Sequence, residues 1–218
     1  KYLLRREAKK IRACVESITP RVFEVGMGSG EDLSLLREFG GFMVSGMDLS
    51  EHAVAVARET FKIESSASAL EDLKLPSARY DVVRAKYVIS HVHSPTLLLK
   101  EINRILKPGG LLTLWLPNWN SFARKVFRSL WEGQDPPRHL YDFSEATIRR
   151  YLKENGFCTV EVSHSIVPNT WLHSTRNLFG AKHTGKLHPL WALLFLPFST
   201  IAALCKQSDR LVIWATKQ

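Results

Sequence analysis

Arg21-Val22-Phe23-Glu24-Val25-Gly26-Met27-Gly28-Ser29-Gly30 passes within one short stretch from a β-favouring run to three glycines at alternate positions. Glycine accepts positive φ and lets the backbone approach a ligand closely, so the stretch reads as a strand, a tight turn and the start of a helix over 32–39. The same alternation repeats downstream. Residues 41–48 read as a strand, 51–61 as a helix, 80–85 as a strand, 95–106 as a helix and 110–116 as a strand. Short apolar strands alternating with helices predict an α/β fold, a parallel sheet covered on both faces with ligands at the carboxyl ends of its strands. Upstream, Leu3, Leu4, Ile11, Val15 and Ile18 recur among basic residues at helical spacing, which predicts a basic amphipathic helix ended by Pro20.

After Pro117 the pattern changes. Ser144 is a candidate N-cap for a helix that stops at Gly156, and 157–162 and 210–215 read as strands completing the same sheet. The intervening 168–208 segment reads as an insertion. The expected organisation is one domain over 1–218: a basic helix (1–19), a cofactor-binding core (20–120), a substrate loop, helix and strand (121–167), an apolar helical insertion or lid (168–208) and a final strand (209–218).

The chain has 218 residues, of which 45% are hydrophobic and 23% charged, enough to bury a core and unlike a disordered or collagen-like chain. Its three cysteines offer neither metal-site spacing nor a disulfide framework, which points to a reducing, cytoplasmic compartment and to no structural metal. Lys1 to Arg6 do not read as a secretory signal. The net charge of +9 suits an anionic partner without choosing one.

The charges near the glycine turn choose the cofactor. Asp48 ends the second strand, where a carboxylate can accept both hydroxyls of a ribose. A pyrophosphate would need the helix amides free of competing anions, yet Glu24 precedes the turn and Glu31 and Asp32 follow it. No Lys-Ser or Lys-Thr ending makes a P-loop. A nucleoside carrying a cation suits these carboxylates better than a diphosphate.

The ordered series Glu24-Val25-Gly26-Met27-Gly28-Ser29-Gly30, Gly46-Met47-Asp48-Leu49-Ser50, Leu70-Glu71-Asp72-Leu73-Lys74-Leu75-Pro76, Tyr80-Asp81-Val82-Val83 and Leu106-Lys107-Pro108-Gly109-Gly110 resembles the motifs of class I S-adenosylmethionine-dependent methyltransferases, small-molecule branch. The likeness covers residues 20 to 120. It implies a Rossmann-like seven-stranded sheet whose last strand is antiparallel, with S-adenosyl-L-methionine as cofactor. By the same resemblance Gly26 and Gly28 line the methionine part, Asp48 holds the ribose, Ala69 and Leu70 lie along the adenine edge, Lys86 stands near the methionine moiety, and Glu24, Val25 and Leu49 are further cofactor-binding candidates. The Asp common at the adenine position is absent from Ser68-Ala69-Leu70, which leaves that contact to backbone groups or a serine.

Methyl transfer to a hydroxyl benefits from a general base, and histidine has a suitable pKa. His91 follows the fourth strand, where relatives often carry a Glu-His pair but this chain has Ser90. His139 lies in the Pro-rich stretch 131–143, with Arg138 and Tyr141 beside it as candidate substrate contacts. Asp81, opening a buried strand, reads as a structural tie to backbone amides. The tract 187–204 has no Asp, Glu, Lys or Arg, but Pro189, Pro197 and the Ser199-Thr200 pair argue against a membrane span. It reads either as a lid or as an interfacial patch that contacts a membrane peripherally. The expected acceptor is a small or lipid-linked metabolite, a sugar or quinone precursor, methylated at oxygen. The charge supports an alternative, an RNA methyltransferase or nucleic-acid-binding protein, although the basic residues form no stripe with interleaved aromatics. An NAD-dependent reductase would need a Tyr-x-x-x-Lys pair, which neither Tyr87 nor Tyr141 provides.

Overall fold

A computed structural model of the chain describes residues 1–179 and 189–218. Helix α1 (Tyr2–Cys14) leads into β1 (Arg21–Val25), α2 (Glu31–Gly40), β2 (Met43–Asp48), α3 (Glu51–Glu59), β3 (Glu64–Ala67), β4 (Tyr80–Lys86), α4 (Pro95–Ile105) and β5 (Leu106–Pro117). The C-terminal part adds α5 (Phe122–Phe127), α6 (Glu145–Glu154), β6 (Phe157–Ser165), α7 (Pro168–Leu178), a 3-10 turn over Pro189–Phe195, α8 (Leu196–Leu204) and β7 (Arg210–Lys217). One seven-stranded sheet runs in the order β3-β2-β1-β4-β5-β7-β6. β1 to β5 pair in parallel, and β7 lies antiparallel between β5 and β6.

Alternation along the strands divides the core. Phe23, Val25, Val83 and Ala85 pack against Leu98, Leu99 and Ile102 of α4 and Ile148 and Leu152 of α6. Val22 and Val82 turn the other way, onto Leu4, Ala8 and Ile11 of α1 and Leu33 and Leu36 of α2. Ser144 caps α6 by accepting the Thr147 N–H at 3.2 Å. Asp81 accepts the Arg21 N–H at 2.8 Å and pairs with Lys107 at 2.7 Å, so it fastens β1 to β4 and to the start of β5.

Among the differences from the sequence reading, a shorter first helix and an added edge strand bear most on the fold. The first helix ends at Cys14 rather than continuing to Pro20, because Val15 is extended and Arg12 bonds the carbonyls of Gly40 at 2.7 Å and Ile18 at 2.8 Å. The polar run Glu64–Ala67 forms an edge strand on β2 for which the pattern gave no apolar signal. Within the 168–208 insertion, α7, the turn and α8 pack with α5 in a cap at the carboxyl end of the sheet, with Trp171 at its centre. Part of this tract, 180–188, lies outside the described residues. None of the described helices is long and apolar enough to cross a membrane.

Candidate active site

The strand order reverses between β1 and β4, and the candidate site opens where these strands end. The chain leaves β1 through Gly26 at φ +68° and Gly28 at φ +56°. A Cβ at Gly26 would stand 2.5 Å from Val88 Cγ2, so packing requires glycine there. A Cβ at Gly28 would meet nothing within 4 Å, so the loop faces open space at that point. Asp48 closes the loop: its Oδ2 accepts the Gly28 N–H at 2.9 Å and its Oδ1 accepts the Ser50 N–H at 2.9 Å. Each oxygen keeps a lone pair for a ribose hydroxyl. Leu49 is 75% exposed beside it, and Ala69 is half-buried. Val25 and Leu70 are buried in the core, so their side chains are not offered to a ligand and only their backbone can serve.

Glu24 is placed differently from a cleft-lining carboxylate. Fully buried Arg84 of β4 donates from Nη1 to Glu24 at 2.7 Å and from Nε to Glu7 of α1 at 2.8 Å. Burial pushes the Glu24 carboxyl above its ordinary range, against the pull of Arg84. Lys86 pairs with Asp32 at the start of α2 and lies 5.6 Å from the Trp115 ring centre. Two of the three carboxylates expected to select a cationic ligand are therefore already paired, and the free negative charge rests on Asp48 and exposed Glu31. The case against a diphosphate acquires a second support, since Asp48 already occupies the Gly28 amide that a phosphate would need.

Residues 87–91 form the partition between this loop and a second space. Tyr87 takes φ +57°, and the His91 N–H closes the turn on Val88 O at 2.8 Å. Val88 packs on Gly26, whereas Tyr87 and His91 line a cavity of about 490 Å³ together with Glu132, His139 and Arg210. The opposite wall comes from loop 131–143. It is anchored at one end by buried Trp131, whose Nε1 donates to Asp209 at 3.1 Å, and at the other by the Leu140 N–H on Ser90 O at 2.8 Å.

The fold brings His91 and His139 together, with ring centroids 4.6 Å apart. His91 Nδ1 is 2.9 Å from Arg138 O and His139 Nδ1 is 2.9 Å from Gly133 O. A carbonyl can only accept, so each Nδ1 carries a proton and Nε2 is left as the basic nitrogen of its ring. Burial and the neighbouring His91 hold His139 below the usual histidine range, which favours the neutral, basic form. Arg138 lends its carbonyl to His91 while its guanidinium pairs with Asp135 at 2.7 Å. The Tyr141 hydroxyl donates to His93 O at 3.0 Å and so latches the loop.

The sequence reading did not find Tyr87, Glu132, Asp209 and Arg210. Burial, with Asp135 and Asp209 nearby, raises the Glu132 carboxyl to about 7, and burial raises Asp209 to about 6. The signal for Asp209 and Arg210 was topological: an antiparallel last strand starts where the parallel strands end, so its first residues enter the site.

Residues 2–162 match a family model described as a methyltransferase domain. A ubiquinone biosynthesis O-methyltransferase of Bradyrhizobium diazoefficiens is 28% identical over 172 residues, covering 71% of this chain and 66% of that protein. A demethylmenaquinone methyltransferase of Chlorobaculum tepidum is 30% identical over 166 residues, 70% of this chain and 68% of that protein. The chain spans less than two thirds of the first of these relatives. Among solved structures, the 4+2 cyclase SpnF superposes with a TM-score of 0.68 at 18% identity, covering 98% of this chain and 80% of that one. A methyltransferase from Archaeoglobus fulgidus gives 0.65 at 18% identity, covering 99% and 94%. At these identities the structures speak for the fold alone.

Proposed function

Since the chain belongs to the class I S-adenosylmethionine-dependent methyltransferases, we propose that it methylates an oxygen of a small or lipid-linked acceptor, a quinone precursor or a sugar, with His139 as general base. The observation that carries this reading is the histidine pair, whose Nδ1 atoms are both held by carbonyls beside a cavity that one turn separates from the glycine loop.

Gly26 and Gly28 would hold the cofactor by their backbone, and Asp48 by the lone pairs its amide partners leave free. When bound, S-adenosylmethionine supplies a methyl group on a sulfonium. The protein's share is then placement and proton removal. His139 Nε2 takes the acceptor's hydroxyl proton; its lowered pKa keeps it neutral at pH 7. His91 packs against that ring and penalises its protonation. Glu132, lifted to about 7, receives or returns a proton within the same cavity. Oxygen as the target is supported by relatives described as ubiquinone biosynthesis O-methyltransferases, and a quinone-like acceptor by others described as demethylmenaquinone and 2-methyl-6-phytyl-1,4-hydroquinone methyltransferases.

The test is methyl transfer from labelled S-adenosylmethionine to a panel of catechols, hydroquinones and sugars, with cofactor affinity measured separately by calorimetry. His139→Ala should leave cofactor affinity within about threefold and lower kcat by about 10²-fold or more, and His91→Ala should lower it less. Full turnover in His139→Ala would remove the base from this residue. Transfer to RNA but to no small acceptor would remove the substrate class.

A further inference from the structure

Along the turn Pro189–Phe195 and α8, the order of side chains is the reverse of what water favours. Among the side chains described there, from Ala192 on, the buried positions are small, Ala192, Ser199 and Ala202, while Leu193, Leu194, Phe198, Ile201 and Leu204 are 50% to 79% exposed. A surface helix in water turns its large apolar residues inward, and a contiguous outward face of this kind marks an interaction site. The face continues onto α5. Trp171 lies between Phe198 and Phe122 at centroid distances of 5.6 and 5.7 Å, and the Phe122 N–H donates to Gln207 O just beyond α8 at 2.8 Å.

Charge is segregated to the same end of the molecule. Among the described residues, the runs 118–131, 162–179 and 189–208 contain no Asp or Glu but hold five of the 30 Lys and Arg. Without them the formal net charge of +9 would fall to +4. Lys125 reaches Gln207 Oε1 at 2.9 Å and Lys206 follows α8 directly, which places cations at the rim of the apolar face.

We propose that this face docks on an anionic lipid bilayer, with the leucines, Phe198 and Ile201 in the acyl boundary and Lys125 and Lys206 among the headgroups. Nucleic acid would satisfy the cations but leave the aliphatic side chains in water. A second copy of the chain would set like charges against each other. The cap's inner side lines the catalytic cavity through Thr170 and Asn177 of α7, so an acceptor held in the bilayer would lie next to the histidines. That last step rests on the methyltransferase reading; the docking itself does not.

Flotation of the whole chain with phosphatidylglycerol-rich vesicles, against pure phosphatidylcholine, tests it. The protein should float with the anionic vesicles and at least tenfold less with the neutral ones. Leu194→Ser combined with Ile201→Ser and Leu204→Ser, and separately Lys125→Glu with Lys206→Glu, should each lose at least tenfold in vesicle binding while keeping the wild-type melting temperature and affinity for S-adenosylmethionine. The proposal falls if wild type stays behind with anionic vesicles, if it binds both vesicles alike, or if the variants float undiminished. It also falls if sedimentation shows a dimer that the triple serine variant dissolves, which would give the face to a second copy. Vesicle binding by a chain that takes up no S-adenosylmethionine would uphold the docking and sink the methyltransferase reading instead.

Discussion

Asp209, immediately before β7, is only 6% exposed, and burial lifts its carboxyl to about 6 from an ordinary 3.8. A carboxyl raised in this way binds its proton more tightly in the folded chain than in the unfolded one. Its contribution to stability is therefore complete below about pH 4 and lost as pH climbs through 6, a change on the order of 3 kcal/mol. Asn in its place keeps an oxygen for the Trp131 Nε1–H but cannot titrate. Asp209→Asn should show a flatter melting temperature than wild type between pH 4 and 7, read as the difference between the two curves so that His139 cancels, while Glu132, which loses the Asp209 charge that helps raise it, flattens the variant in the same sense. Parallel curves would mean that Asp209 titrates normally. No signal for this existed at the level of single residues, since Asp209 stands far along the chain from Trp131 and the polar pair Ser208-Asp209 resembles any turn. Asp48 and the glycines were legible because their chemistry is local: a positive φ and a strand-end carboxylate leave a mark within a few residues.

Elements meet through one buried cluster. Arg84 on β4 reaches Glu24 on β1 and Glu7 on α1, tying the first helix to the two central strands. Removing one partner of a buried ion pair leaves uncompensated charge, so Arg84→Leu should cost about 3–5 kcal/mol in urea unfolding at pH 7. The sign of its pH dependence follows from Glu24, whose carboxyl burial already raises. Without Arg84 that carboxyl rises further, and the deficit should shrink as pH falls toward 5 and the group takes up a proton. A deficit that stays constant or grows on acidification would show that the loss is one of packing volume. Helices and central strands could be read from the sequence because each carries its own apolar period. Glu64–Ala67 could not, since its strand character comes from pairing with β2 rather than from its composition. The contact between Glu7 and Arg84 spans 77 residues and left no trace in any local window.

At the scale of the whole molecule, fold and reaction separate. A cyclase superposes on this chain as well as methyltransferases do, so the sheet order settles only where a ligand sits. The choice of ligand falls to a few atoms at the switch point: the Gly28 amide bound by Asp48, the open space beside Gly28, and the free charge of Glu31. A diphosphate finds the amide occupied and the field adverse, whereas a sulfonium nucleoside finds both acceptable. A ligand that binds only the folded chain stabilises it by about 2.7 kcal/mol at a hundred times its Kd. In a chain of this length that amounts to about 5–10 °C in melting temperature. S-adenosylmethionine should produce such a shift and NADH none at equal concentration, and Asp48→Ala should abolish most of it through loss of both the ribose acceptor and the partner of the Gly28 and Ser50 amides. An equal or larger shift with NADH would show that the loop accepts phosphate after all, and the electrostatic account of its selectivity would have to be abandoned.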